Sequence, residues 1–119
     1  MQNKRSLGNQ KEELAAAYVK EQGAVLLDRN VYFHGGELDL VAKDGEYICF
    51  IEVKYRKSTL FGSPEEAVTL AKQKKIIRGA QLYLYQNKYP SDTPCRFDVI
   101  SIYQEEITWL KDAFTMGGW

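Results

Sequence analysis

The chain has two cysteines, one histidine and no surplus of charge, and each shortage removes a class of protein. Cys49 and Cys95 do not have metal-ligand spacing, and with no export signal a disulfide framework is not expected. Cys49 sits in an apolar, strand-like pattern and reads as a small core residue. The lone histidine, His34, stands beside Gly35 and Gly36 and reads as a loop residue rather than a general base. No apolar run approaches the roughly 20 residues that a helix needs to cross a bilayer. Met1-Gln2-Asn3-Lys4-Arg5 opens onto a polar segment without the apolar centre of a secretory signal. A cytoplasmic chain with no membrane partner is therefore expected. Sixteen basic residues balance 16 acidic ones, which argues against holding a polyanion by bulk charge alone. A local basic surface beside a cluster of acids remains open, because a cation held by those acids would offset their charge.

What is present suits one globular domain over residues 1–119, at 45% hydrophobic and 27% charged. There is no internal repeat and no low-complexity linker. Residues 9–22 read as a helix, with Asn9 as N-cap, Glu12 and Glu13 in the first turn and Gly23 past the end. Leu14, Ala17, Tyr18 and Glu21 follow one helical stripe and Ala15, Ala16 and Val19 make a second, whose small alanines allow close packing. Strands are expected over residues 24–33, 37–42 and 47–55, with a loop or bulge at His34-Gly35-Gly36 and a hairpin turn at Asp44-Gly45. After a loop at 58–63, Ser63 as N-cap and Pro64 at the first helical position open a helix running to about Asn87. A fourth strand follows at 96–103 and a short fifth at 107–110. The order is α-β-β-β-α-β. A helical crossover between the third and fourth strands makes them parallel, so the expected fold is α/β with a mixed sheet flanked by helices.

The hairpin allows a geometric test. A two-residue turn at Asp44-Gly45 pairs Lys43 with Glu46, sets Asp39 opposite Phe50 and sets Glu37 opposite Glu52. Alternation along strands then places Glu37, Asp39, Glu52 and Lys54 on one side, with Asp39 and Glu52 as diagonal neighbours about 7–8 Å apart at the backbone. Such a like-charge cluster destabilises a sheet unless something compensates it, and Mg²⁺, which takes a few carboxylates plus water and phosphate oxygens, is a natural compensator. Lys54 would stand beside the same ion, placed to orient a water or to neutralise charge on an attacked phosphate. The plainer alternative is a surface ion pair between Glu52 and Lys54. The apolar setting of Ile48, Phe50, Ile51 and Val53, with an aspartate on the partner strand, favours the site.

An aspartate followed by Glu-x-Lys is the PD-(D/E)xK nuclease signature. Taken together, Gly36-Glu37-Leu38-Asp39-Leu40-Val41-Ala42, Phe50-Ile51-Glu52-Val53-Lys54-Tyr55-Arg56 and Arg96-Phe97-Asp98-Val99-Ile100 resemble the YraN-like family of small bacterial proteins. That family is similar to archaeal Holliday-junction resolvases. The resemblance runs from about Gly8 through Val99, and residues 107–114 look like the family's usual ending. It implies a restriction-endonuclease-like fold. It implies that Asp39 and Glu52 bind Mg²⁺ or Mn²⁺ with the Val53 carbonyl as a further ligand, that Lys54 is the catalytic lysine, and that Glu12 completes the site from the first helix. Here Lys11 stands where the family more often has glycine, and Glu13 competes with Glu12 for that place. Helical spacing aligns Glu12 with Ala15, Ala16 and Val19.

Lys72, Lys74, Lys75 and Arg78 form a basic run on the second helix, and Lys72 matches a position where the family usually has lysine. Lys72 and Arg56 are the expected phosphate contacts. Tyr83, Tyr85 and Tyr89 resemble a stacking ladder for bases, but their helical spacing suits core and rim better. The leading expectation is a metal-dependent endonuclease that hydrolyses phosphodiester bonds in branched or structured DNA. Resolvases act as symmetric dimers, so the resemblance implies a homodimer, although no stripe in the sequence marks an interface. The alternatives are a nucleic-acid-binding module of nuclease fold without efficient cleavage, and a protein-interaction domain whose acids are structural.

Overall fold

A computed structural model of the chain describes residues 4–56 and 68–115, with residues 4–9 described in backbone only. Helix α1 (Lys4–Glu21) leads into three strands joined by tight turns: β1 (Val25–Phe33), β2 (Gly36–Asp44) and β3 (Tyr47–Arg56). Helix α2 (Leu70–Gln86) precedes β4 (Cys95–Tyr103) and β5 (Glu106–Phe114). The strands form a mixed sheet in the order β1-β2-β3-β4-β5. The parallel pair is β3 with β4, and α2 lies in the connection between them, as strands running the same way require. The other neighbours are antiparallel.

The sheet is buried on both faces, which explains the nearly continuous apolar runs of β3 and β4. On one face Ala15, Ala16 and Val19 of α1 pack with Leu40, Ala42, Cys49, Ile51, Ile100 and Ile102. The alanines let the helix approach closely, and Leu14 and Ala17 turn to solvent, so the second of the two candidate stripes is the buried one. On the other face Ile76, Ile77, Ala80 and Tyr83 of α2 cover Val41, Ile48, Phe50, Phe97 and Val99. Gly79 is a packing glycine, since a Cβ there would come within 2.4 Å of the Phe33 ring. Cys49 is a buried core thiol, pushed up to about 11 first by burial. No helix among the described residues is long and apolar enough to cross a membrane.

Several boundaries differ from expectation. Helix α1 starts at Lys4, so Asn9 lies inside it rather than capping it, and no acid stands in the first turn. The dipole reason for Glu12 and Glu13 therefore lapses. Helix α2 starts at Leu70, because Thr69 is extended (φ −65°, ψ 159°) and its hydroxyl accepts a hydrogen bond from the Lys72 N–H at 3.2 Å. Ser63, Pro64 and the expected 58–63 loop lie outside the described residues. Strand β5 is longer than the four residues expected. The β2–β3 turn is Gly45-Glu46, with Gly45 left-handed at φ +63° and Asp44 paired with Tyr47. Asp44 stays in the strand because Arg96, at 2.9 Å, and Lys111, at 3.0 Å, hold its carboxylate.

The same arginine explains the third sequence motif. Asp98 is fully buried and accepts hydrogen bonds from Arg96 Nε and Nη2, Trp109 Nε1 and the Asp112 N–H, all at 2.9 Å. Across this stretch Lys111, Asp112 and Ala113 face Asp98 alone, a bulge in which Asp112 is left-handed at φ 57°. The motif thus fastens β4 to the ends of β2 and β5.

Candidate metal centre

Strands β2 and β3 pair from Asp44–Tyr47 as far as Leu40–Ile51. The register is two residues away from the one expected from an Asp44-Gly45 turn. An even slip preserves alternation but carries Asp39 from a diagonal place to one abreast of Glu52. At this end of the pair the Asp39 carboxylate accepts the Val53 N–H at 2.9 Å, where a strand carbonyl would ordinarily do so.

Alternation itself is interrupted here. Leu38 packs with the α2 core and Leu40 with the α1 core, although residues two apart on a regular strand share a face. Strand β1 steps in the same place: Arg29 reaches Glu13 of α1 at 2.8 Å, whereas Val31 packs with the α2 cluster. Asn30 stands between them at φ 52°, and the pairs Arg29–Leu40 and Val31–Leu38 put it abreast of Asp39. This paired step turns Glu37 and Asp39 toward α1. One carboxylate oxygen each from Glu12, Glu37 and Asp39 lie within 4.8 Å of one another, and the Asn30 side-chain amide donates to Glu12.

Glu52 meets this group from the α2 side. Its neighbours Ile51 and Val53 pack toward α1, and its Oε1 lies 3.5 Å from Lys54 Nζ and 3.8 Å from Lys72 Nζ. The expectation that Glu37, Asp39, Glu52 and Lys54 project from one regular face is therefore corrected: Glu37 and Asp39 join Glu12 toward α1, whereas Glu52, with Lys54 and Lys72, comes from the α2 side and acts on Asp39 through its charge. Burial, then the charge of Glu52, push the Asp39 carboxyl from 3.8 up to about 8. A hydrogen bond with Glu37 and the charge of Glu12 add to the rise, and the Val53 N–H opposes it.

Other expected residues fall around this point. Glu13 is exposed and paired with Arg29, so Glu12 is the α1 acid that faces the cluster. Arg56 ends β3, half-buried and in register with Tyr103 of β4. Lys72 is half-buried in the first turn of α2, while Lys74, Lys75 and Arg78 are exposed. His34 is exposed in the β1–β2 turn. Tyr83 is core, stacked near Tyr89, and Tyr85 is exposed. The sequence reading did not single out Asn30; Lys11, which it did note, has its ammonium 4.5 Å from the Tyr55 ring centroid. An asparagine inside a strand, where that residue is depleted and where it tolerates left-handed backbone, was the available signal.

Oxygen donors converging on a buried carboxylate suit a hard divalent cation. Burial and the charge of Glu52 raise Asp39, and a bound divalent ion would offset both, so these residues fit Mg²⁺ or Mn²⁺.

From Lys11 to Ile102 the chain matches the family described as "Uncharacterised protein family UPF0102", over residues 11–102. The chain belongs to the UPF0102 family. A UPF0102 protein of Lachnoclostridium phytofermentans is 47% identical over 116 residues, covering 98% of both chains. UPF0102 proteins of Vibrio campbellii (43% over 118 residues, 97% of each) and Saccharophagus degradans (42% over 109 residues, 92% of each) are similar along almost their whole length. This is the YraN-like family that the three motifs resemble. The UPF0102 match contains every residue of the candidate centre, from Glu12 on α1 to Lys72 on α2.

Proposed function

We propose that this UPF0102 protein is a metal-dependent endonuclease that hydrolyses phosphodiester bonds in DNA, with branched or structured DNA as its substrate. The observation that carries the proposal is the convergence of Glu12, Glu37 and Glu52 on buried Asp39, with two lysines against Glu52. The element order and mixed sheet are compatible with a restriction-endonuclease-like fold, and the Asp39…Glu52-x-Lys54 pattern is that of the PD-(D/E)xK nucleases.

Asp39 and Glu52, with the Val53 carbonyl, would hold Mg²⁺ or Mn²⁺. Glu12 would complete the site from α1 and Glu37 would border it. A divalent ion bound there polarises a phosphoryl oxygen and lowers the pKa of a water. Lys54 would orient that water or neutralise the charge that develops on the attacked phosphate. Lys72, against Glu52, and Arg56, at the end of β3, would grip the neighbouring phosphates. A homodimer in the cytoplasm, binding the two arms of a branched substrate, is what the resemblance of the motifs to junction resolvases would imply.

The test is cleavage in Mn²⁺ of duplex, flap, single-stranded and four-way-junction DNA by the parent, Glu52→Ala and Lys54→Ala. Cleavage by the parent that both changes abolish supports the proposal. Activity that survives both changes belongs to a contaminant and refutes it. One observation favours a second reading, a module that binds nucleic acid without efficient cleavage: Lys54 and Lys72 already neutralise Glu52 without any metal. Metal binding with no cleavage of any of the four DNAs would select that reading.

A further inference from the structure

Glu12 approaches Glu37 and Asp39 against electrostatic repulsion. One carboxylate oxygen of each lies within 4.8 Å of the others, Glu12 and Glu37 are both half-buried, and ionised carboxylates this close repel. Something must hold Glu12 in. Its neighbour Glu13 is held by Arg29, and across the site Glu52 is held by Lys54 and Lys72, so those acids meet cations. Among the described residues, Glu12 is met instead by an amide, that of Asn30.

Two properties of Asn30 make this choice informative. Its φ of 52° lies in the left-handed region, which asparagine enters several-fold more readily than most residues and which β-branched strand formers avoid. That conformation lets β1 step together with β2 and sets Asn30 abreast of Asp39. The amide is also a neutral donor. It restrains a carboxylate without neutralising it, whereas a lysine or arginine would compete with an incoming cation. Glycine would satisfy the backbone but leave Glu12 unrestrained.

We infer that Asn30 is a positioning residue, which holds Glu12 against Asp39 so that the two carboxyl groups present one preformed site for a divalent cation. The inference rests on the metal-centre reading above. It assigns Asn30 the task that residues behind metal ligands commonly perform, where loss costs about 10- to 100-fold in metal affinity.

The test is Mn²⁺ affinity, measured by calorimetry and by the loss of the free-ion electron paramagnetic resonance signal. The parent, Asn30→Gly, Glu12→Gln and the double variant are compared. Asn30→Gly keeps the left-handed backbone and removes only the amide. It should weaken Mn²⁺ binding about tenfold with little change in melting temperature. In the Glu12→Gln background the same change should cost almost nothing, because the amide acts through Glu12. An equal loss in both backgrounds would mean a general structural role and overturns the inference, as does unchanged affinity in Asn30→Gly. No Mn²⁺ binding by the parent overturns the metal centre itself, which separates the two failures. Should Asn30→Gly not fold, the side-chain amide resonance of Asn30 decides. It should shift in Glu12→Gln and on titration of the parent with Mg²⁺, and constancy under both overturns the assignment.

Discussion

Glu52 sits between two ammonium groups, Lys54 from its own strand at 3.5 Å and Lys72 from the first turn of α2 at 3.8 Å. The carboxylate is 6% exposed while the lysines are 33% and 37% exposed, so the acid is fixed and the cations are the adjustable members. Lys72 therefore competes with a divalent ion for Glu52. Lys72→Ala should bind Mn²⁺ about two- to fivefold more tightly than the parent, in keeping with the modest worth of a partly solvated pair. The same variant should bind DNA more weakly in Ca²⁺, because a phosphate contact is gone. Calorimetric titration and a DNA-binding isotherm check both directions, and weaker Mn²⁺ binding would place Lys72 among the groups that build the centre.

Asp39 makes stability depend on pH in the absence of metal. Its carboxyl is pushed up to about 8 by burial first and by Glu52 next. Between the ordinary value of 3.8 and about 8, the folded chain keeps a proton that the unfolded chain has released. The stability tied to this group is thus complete below pH 3.8 and is lost as pH rises through about 8. In chelator, Asp39→Asn should melt about 5 °C or more above the parent at pH 9, with the gap closing toward pH 4. Mg²⁺ should raise the melting temperature of the parent more at pH 9 than at pH 6, since the ion must displace that proton. Thermal melts across pH, with chelator and with Mg²⁺, provide the measurement, and a pH-independent gap would mean that Asp39 is ionised throughout.

These two residues also show how far the sequence could be read. The strands around Glu52 were legible because buried parallel strands are apolar on both faces, and Ile48 to Ile51 carry that pattern. The crossover before β4 dictated the parallel pair. The register was misread by two because Asp44-Gly45 is a strong local turn signal, whereas Arg96 and Lys111, far along the chain, retain Asp44 in the strand. The step at Asn30 and Asp39 was hidden for a related reason, since period-two reasoning presumes regular backbone and a single left-handed residue breaks it. Glu12 and Glu13 are neighbours with the same chemistry. Only the partners, Asn30 for one and Arg29 for the other, distinguish them.

The buried network around Asp98 should govern stability and leave the metal centre alone. Asp98→Ala takes the acceptor from the Trp109 N–H and the Asp112 N–H and leaves the Arg96 guanidinium with Asp44 as its remaining partner. Removing one partner of a buried ion pair costs about 3–5 kcal/mol, a large part of the stability of a domain this size. Urea denaturation should show a loss of that order with an unchanged slope. Where Asp98→Ala remains folded, its Mn²⁺ affinity should equal that of the parent. A large drop in affinity would show that the third motif reaches the centre after all.

Gly79 offers a test of packing in which two effects have opposite signs. In an exposed helix, glycine to alanine stabilises by about 1 kcal/mol. At Gly79 the added methyl would meet the Phe33 ring at 2.4 and 2.6 Å, so either the ring or the helix must move. Overpacking of this kind costs typically 1–3 kcal/mol, which outweighs the helix preference. Gly79→Ala should therefore destabilise by about 1 kcal/mol net, and Phe33→Leu should relieve part of that loss when the two are combined. A double-mutant cycle in urea measures the coupling between the two sites. The coupling should be favourable because Phe33 ends β1 and reaches α2 across the sheet edge, and the contact vanishes when the ring is removed. Additive effects would show that α2 meets the edge strand through other residues.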